Sequence, residues 1–508
     1  MLRLFSCLAV LITGASATSA ERPNLIILYA DDMGFGDLGA NNPESRIPTP
    51  RLDQLAAEGM RFTDGHSSSG ICTPSRYALL TGRRHWRDFH GIVNAMGGPV
   101  FKPDQLTLPA MLREKGYTTA CIGKWHLGWN WNAIKRPDAE TETRKRGNRN
   151  VQVWGPEDYD WSKPIPGGPL DRGFDHYFGD SVINFPPYCW IEDKKVTTSP
   201  DAVFPPEPYT VPTKEGSWEA RPGPGLSDWD FYQVLPTLAD KGVAWIKSRK
   251  DADKPFFLYF PFPSPHAPII PTDEFDEKSE AGAYGDFVYQ TDHICGRILD
   301  ALEQAGKSDN TIVIFTSDNG PENYAYNRDA KHDHWSSRPL RGLKRDILEG
   351  GHRVPFLIRW PGKLKAGTVS DALVSQTDIM ATLASLIDYD LPTDAAVDSL
   401  DFLPYLTGET KDSPRHTMVH NTYKGGYALR HGEWVLIDAK SGAVRPTPKP
   451  WLAKHDTPPE TGPLALYDLE KDLGQRQNLA ETHPEKVAEL KRRLKDILES
   501  ERTAPKRN

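Results

Sequence analysis

The sequence predicts an α/β protein: a large mixed, mostly parallel sheet flanked by helices over residues 21–390, then a smaller α+β unit with an antiparallel sheet over 391–508. Three observations carry this. Four short apolar runs rich in strand-forming residues are nearly unbroken in apolar character, as strands covered on both faces are. Helix-like stretches such as Thr49 to Glu58 and Leu108 to Lys115 lie between them, the alternation that builds layered α/β folds. After about Asp390 the texture changes to short runs, Thr417 to Asn421, Tyr427 to Arg430 and Trp434 to Ile437, broken by Lys424-Gly425-Gly426 and His431-Gly432-Glu433. A closing helix is expected over Pro484 to Ser500, where Val487, Leu490, Leu494, Ile497 and Leu498 share one face.

The chain has 508 residues, 38% of them hydrophobic, enough to bury a large core. Its formal charge of −8 and pI near 6.0 give no global basic surface, which argues against nucleic acid as a partner. Residues 1–20 read as a secretory signal: Met1-Leu2-Arg3, an apolar run from Leu4 to Ile12, and small residues with cleavage near Ala17 or Ala20. That run is too short to span a bilayer, and Cys7 lies too early for a lipoprotein signal. The expectation is a secreted or periplasmic protein with no transmembrane span. Cys72, Cys121, Cys189 and Cys295 remain, too widely spaced for a metal knuckle and too few for a disulfide framework.

Each of the four apolar runs is followed within a few residues by groups that bind metal, carry protons or hold anions. Leu25 to Tyr29 leads to Asp31-Asp32, Tyr117 to Ile122 to Lys124 and His126, Phe256 to Phe260 to His266, and Thr311 to Phe315 to Asp318-Asn319. In open α/β sheets ligands gather at the carboxyl ends of parallel strands. Adjacent carboxylates repel unless a cation neutralises them. Asp31, Asp32, Asp318 and Asn319 together make an all-oxygen set suited to Ca²⁺ or Mg²⁺ rather than zinc. Either pair alone could merely cap a helix; two pairs, each after such a strand, favour metal. Between residues 130 and 230 the periodic signal fades and Pro, Gly and Trp become dense, which predicts an irregular insert forming a binding wall.

Cys72-Thr73-Pro74-Ser75-Arg76 follows a Ser/Gly-rich loop and opens a helix-like stretch through Leu80, with Pro74 placed for its first turn. The positive helix end would lower a thiol pKa there and attract anions. The plainer reading is a buried, inert cysteine.

The pentapeptide Cys-x-Pro-Ser-Arg resembles the maturation signature of type I sulfatases, in which the cysteine is oxidised to formylglycine. The resemblance extends along nearly the whole chain after the leader. It takes in Asn24 to Gly39, Gly123-Lys124-Trp125-His126-Leu127-Gly128, Asp318-Asn319-Gly320, Leu340 to Lys344, Glu349 to Pro355 and Leu466-Tyr467-Asp468-Leu469. It implies an alkaline-phosphatase-like α/β domain followed by a small antiparallel domain. It further implies one Ca²⁺ held by Asp31, Asp32, Asp318, Asn319 and the matured residue 72, whose hydrated aldehyde attacks sulfur. By the same resemblance Arg76 holds the nucleophile, Lys124 touches nucleophile and sulfate, and His126 takes the proton that releases sulfate. His266 and Lys344 flank the bridging oxygen and protonate the leaving group. A formylglycine-generating enzyme is the implied maturation partner.

Export, the aromatic-rich insert and the resemblance point to a sulfated saccharide from which a sulfate monoester is removed, with exo action expected. Asp175, His176, Asn184, Tyr188 and Trp190 in the insert, and His332, His334, Trp335 and Arg338 before Lys344, are candidates for the substrate wall, because mixed aromatic and polar groups suit sugar rings. Two rival readings are a phosphomonoesterase or phosphonate hydrolase of the same superfamily, and a noncatalytic glycan-binding homologue. The second requires a missing catalytic group, and none is missing.

Overall fold

Strands form where β-branched and aromatic residues run together. In the computed structural model, which describes residues 22–146 and 148–506, all four apolar runs become strands. The leader expected over residues 1–20 lies outside the described residues. In chain order the strands of the main sheet are β1 (Asn24–Ala30), β2 (Met60–Phe62), β3 (Thr118–Ile122), β4 (His176–Gly179), β5 (Ile191–Glu192), β6 (Lys195–Val196), β7 (Phe256–Pro261), β8 (Thr311–Ser317), β9 (Phe356–Arg359) and β10 (Thr368–Ser370). Their spatial order is β10-β2-β9-β8-β1-β7-β3-β4-β5-β6. The central strands β8, β1, β7, β3 and β4 are parallel, and antiparallel pairs enter at both flanks through β9 and β5. The fold class read from the sequence is the one observed.

Side chains alternate across a strand, so each central strand feeds two cores. Ile26, Leu28, Leu258, Phe260, Val313 and Phe315 face helices α1 (Pro50–Glu58), α3 (Val234–Lys247) and α4 (Gly282–Gln304). Leu25, Ile27, Phe257, Tyr259, Ile312 and Ile314 face α2 (Cys72–Thr81) and α5 (Ile379–Leu386). A sheet covered on both faces leaves only its strand ends for chemistry.

The carboxyl-terminal sheet is antiparallel: β11 (Thr417–Asn421), β12 (Tyr427–His431), β13 (Trp434–Asp438) and β14 (Leu464–Asp468). Val419, Leu429, Leu436 and Leu466 pack against Val487, Leu490 and Leu494 of α6 (Pro484–Glu499), on the face the apolar spacing predicted. The opposite face, Ala428, Val435, Ile437 and Tyr467, covers Ile347 and Leu348 just beyond Lys344. The small sheet thus braces a loop of the large one.

The stretch 130–230 is more regular than its composition predicts. It supplies β4 to β6 and two hairpins, Glu142–Arg146 with Arg149–Val153 and Thr210–Thr213 with Gly216–Glu219. Strands this short show no readable alternation, and the hairpins are largely exposed, so no periodic signal marks them. Among the described residues no helix is long and apolar enough to cross a membrane.

Candidate active site

The register of the sheet assembles the site. β1 and β8 run parallel with Ala30 opposite Ser317, so Asp31-Asp32 and Asp318-Asn319 leave the sheet side by side. Asp318 N donates to Ala30 O at 3.0 Å and Asp31 N to Ser264 O at 3.0 Å, which locks the exits together. From the next exit, Lys124 N donates to Pro261 O at 2.8 Å. The turn before it is Gly123, at φ +130°, where a Cβ would stand 2.1 Å from Pro261 O. Only glycine lets β3 turn this closely against β7.

Cys72 is the first residue of α2 and packs over these exits, its Sγ 3.5 Å from Asp31 Oδ1. Ligand atoms of Asp31, Asp32, Cys72 and Asp318 all lie within 4.8 Å of one another, and all four residues are buried. Asn319 joins them through Nδ2, which donates to Asp32 Oδ1 at 2.7 Å and to Gly320 O at 2.8 Å, while its buried Oδ1 has no partner.

Three buried cations answer the three carboxylates. Arg76 donates through Nε and Nη2 to Asp318 Oδ2 at 3.0 and 2.8 Å, and through Nη1 to Lys124 O at 3.2 Å. The Lys124 ammonium pairs with Asp31 Oδ2. Lys344 Nζ lies 2.6 and 2.8 Å from the oxygens of Asp32. Burial opposes the charge on Lys344, but Asp32 holds its ammonium above the ordinary lysine value. Burial also opposes ionisation of Asp31, yet Lys124, His266 and Arg76 hold it well below the usual carboxylate range. Asp318 goes the other way: burial, then the charge of Asp31, pushes it up to about 7. Two neighbouring carboxylates that cannot share one charge comfortably, beside an orphaned amide oxygen, are what a hard divalent cation relieves. The donors present therefore fit calcium or magnesium.

Cys72 behaves otherwise than its helix position alone predicts. Burial, then Asp318, pushes the thiol well above its usual value, so desolvation and nearby carboxylates outweigh the helix end. A thiolate nucleophile is disfavoured here.

The two histidines enter from different exits. His126 offers Nε2 to Val93 O at 3.0 Å, which leaves Nδ1 as the lone-pair nitrogen, buried and unpartnered. Burial, then Lys124, holds it well below the ordinary histidine value, hence neutral. His266 donates Nδ1–H to Ala267 O at 2.5 Å and turns Nε2 to within 3.8 Å of Asp32 Oδ2. Burial, then Lys344, lowers it to about 4.

The expected substrate wall does not converge in the same way. Asp175 accepts from Thr119 N at 2.9 Å and His176 pairs with Asp193 at 2.9 Å, both at the entry ends of β3 and β4, across the sheet from the carboxylates. Trp190 stacks on Phe178, centroids 4.9 Å apart, and packs against Trp229. Tyr188 packs between Phe204 and Phe231. His334 Nε2 is held by Asp37 at 2.8 Å, and Asp37 also accepts at 2.7 Å from the Tyr284 hydroxyl, whose oxygen lies 3.1 Å from Asp32 O; this chain props the metal loop from behind. Arg338 pairs with Glu44 at the surface. Asn184 does come near: its loop sets Phe185 edge-on to His126 at 5.4 Å, and its Oδ1 has no partner.

Sequence reasoning missed Asp180. It leaves β4 beside the Gly123 turn, lies 2% exposed, and neither carboxylate oxygen has a partner. Burial pushes it up to about 7, with Lys124 opposing. The strand-exit rule that found the other acids would have found this one had His176–Gly179 been read as a strand.

The geometry has counterparts among known proteins. The sulfatase family model matches residues 23–389, and a model described as the C-terminal part of N-sulphoglucosamine sulphohydrolase matches residues 343–504. An N-acetylgalactosamine-6-O-sulfatase of Bacteroides thetaiotaomicron is 31% identical over 94% of this chain and 94% of that one. Arylsulfatase A of Homo sapiens is 31% identical over 92% of this chain and 86% of that one. A solved structure from work on the metabolism of multiple glycosaminoglycans by B. thetaiotaomicron superposes with a TM-score of 0.76 at 29% identity, covering 94% of this chain and 99% of its own. This chain belongs to the sulfatase family, sulfuric ester hydrolases within the alkaline phosphatase superfamily.

Proposed function

We propose that the chain removes sulfate from a sulfated saccharide, with residue 72 working as formylglycine and one Ca²⁺ held by Asp31, Asp32, Asp318, Asn319 and that residue. The observation that carries this is the focus of Cys72 Sγ on Asp31, beside three carboxylates, an orphaned amide oxygen and three buried cations. Three carboxylates against three cations leave no net charge, so a bound divalent cation makes the site positive and ready for an anionic ester. Calcium there would supply a Lewis acid that polarises sulfate oxygens. Formylglycine would supply, as its hydrate, a hydroxyl to attack sulfur and a second to expel sulfate. Cys72 Sγ stands in for the oxygen of that residue.

The chain's own groups do the rest. Arg76 and Lys124, fixed by Asp318 and Asp31, hold the nucleophile and offset charge on the sulfate. His126, neutral with Nδ1 free, removes the proton that lets sulfate depart. Lys344 and His266 stand on the Asp32 side: the Lys344 ammonium has a proton for the leaving oxygen at rest, while His266, neutral in the empty site, takes one up on Nε2 when the anionic ester raises its pKa and then passes it on. Asn184, whose Oδ1 has no partner and whose neighbour Phe185 meets His126, is the insert residue best placed to meet a sugar hydroxyl. Cys72 is 3% exposed in the folded chain, so a maturation enzyme meets it before folding is complete. Export through the leader fits a polysaccharide substrate.

Relatives named N-acetylgalactosamine-6-sulfatase make a 6-sulfated galactosamine the first saccharide to assay. The discriminating test compares turnover of matched aryl sulfate and aryl phosphate by protein made with a maturation enzyme. Preference for sulfate is expected; strong preference for phosphate would overturn the reading.

A further inference from the structure

Behind the loop that carries Cys72 lies a second cluster with different chemistry. His66 ends the short strand Gly65–His66, His352 follows the turn Glu349–Gly351, and His420 sits in β11 of the small sheet. The fold brings these three distant residues together, buried to 0%, 0% and 2% exposure, with ligand atoms all within 4.8 Å of one another.

The hydrogen bonds around the cluster fix where its lone pairs are. His66 turns Nε2 to Asp64 Oδ1 at 2.8 Å, and His352 turns Nε2 to Ile347 O at 3.3 Å. Both oxygens are acceptors, so both Nε2 atoms carry the proton. The two Nδ1 atoms then face each other at 3.0 Å, a contact that needs either one proton or one cation between them. His420 lies flat on His352, centroids 3.4 Å apart and planes 9° apart, and neither of its ring nitrogens has a partner. Burial lowers His352 to about 3 and His420 well below its ordinary value, so both rings are neutral.

We propose that His66, His352 and His420 bind one transition-metal ion, Zn²⁺ by preference, in a structural site between the catalytic sheet and the small sheet. A cation at the focus satisfies the opposed Nδ1 atoms, and the orphaned ring as well once His420 tilts off the face of His352 to bring a nitrogen into line. Carboxylate and carbonyl partners on the far nitrogens are the outer contacts that orient ligating histidines. Three imidazoles select zinc, copper or nickel over calcium and magnesium, so the chain sorts two kinds of ion into two sites. Asp64 and Glu349, in contact with Arg353 and Arg430, line the His66 side and temper the added charge. A proton shared between His66 and His352 would explain the short contact but leave His420 unpartnered. The ion would act as a clamp. Ser67 N donates to His352 O at 2.8 Å and Ser69 Oγ to Asn421 O at 2.8 Å, so the same joint seats the segment leading to Cys72.

The test uses the full mature chain, untagged and saturated with Ca²⁺ so that the oxygen site is filled. After a transition-metal chelator and its removal, ZnCl₂ is titrated in and bound zinc is measured by elemental analysis beside the melting temperature. Uptake of about one zinc per chain with a melting point several degrees higher is expected. His420→Phe keeps the stacked ring without its nitrogens and should lose that uptake and that shift. Wild-type chain that takes up no Zn²⁺, Cu²⁺ or Ni²⁺ and shows no shift would overturn the site, and so would His420→Phe binding zinc as tightly as wild type. If His420→Phe does not fold, the wild-type titration decides alone.

Discussion

His266→Ala tests leaving-group protonation. The side chain makes one hydrogen bond, to its neighbour Ala267 O, so its removal costs about 1 kcal/mol of stability. Its Nε2 lies 3.8 Å from Asp32 Oδ2, the carboxylate that also holds Lys344, which makes the two side chains neighbouring proton sources on one side of the site. A positioned general acid contributes roughly 10²- to 10⁴-fold. With Lys344 still in place, the lower half applies: kcat on a saccharide sulfate should fall about 10²- to 10³-fold, or about 2.7 to 4 kcal/mol. An aryl sulfate whose phenol leaves readily without a proton should lose less than about 10-fold. Released sulfate is followed by ion chromatography for both substrates at saturating concentration. Equal losses on the two substrates would refute the assignment and recast His266 as a positioning group.

Three further outcomes follow from particular contacts. Asn319→Ala removes the one orphaned oxygen of the metal set, so Ca²⁺ should bind at least about 10-fold more weakly, read as a rightward shift of the melting temperature against calcium concentration. Gly123→Ala puts a Cβ against Pro261 O at a backbone angle that L residues avoid; about 2–4 kcal/mol of stability should be lost in chemical denaturation, with Lys124 displaced. Asp398 is fully buried and takes two bonds of 2.8 Å from Arg87, whose guanidinium holds it below the usual carboxylate range against the opposing effect of burial. Because its folded pKa is depressed, this stabilisation is complete above the usual carboxylate range and is lost as pH falls through and below it. Asp398→Asn should cost about 3–5 kcal/mol at neutral pH and flatten that acid limb in pH-dependent melts.

The strands that carry the site were legible because they are apolar on both faces and because charged groups cannot lie inside them. Asp31, Lys124, His266 and Asp318 therefore stand out at the first places where charge returns. What stayed hidden depends on which end of a strand a residue occupies. Asp175 and His176 look like the other polar groups near apolar runs, but they stand just before and at the start of β4, and Asp180, which follows it, went unread because a four-residue strand has too little pattern. His334 was visible as a polar group before Lys344, yet its bond to Asp37 joins residues nearly three hundred positions apart, which no spacing displays. The His66, His352 and His420 cluster is hidden for the same reason: each histidine belongs to a different element, and only the docking of the small sheet brings them together. For Cys72 the local sequence placed it at a helix start, while burial, then Asp318 just beyond the end of β8, decides its protonation.

The central claim is that the working group at position 72 is an aldehyde made from cysteine, and one measurement meets it directly. The peptide containing residue 72 is analysed by mass spectrometry from chain produced with and without a formylglycine-generating enzyme, and sulfate release is measured on the same samples. The account predicts that turnover rises in proportion to the fraction of residue 72 found as formylglycine and is absent from the all-cysteine chain. Full sulfatase activity in protein whose residue 72 is entirely thiol would contradict it.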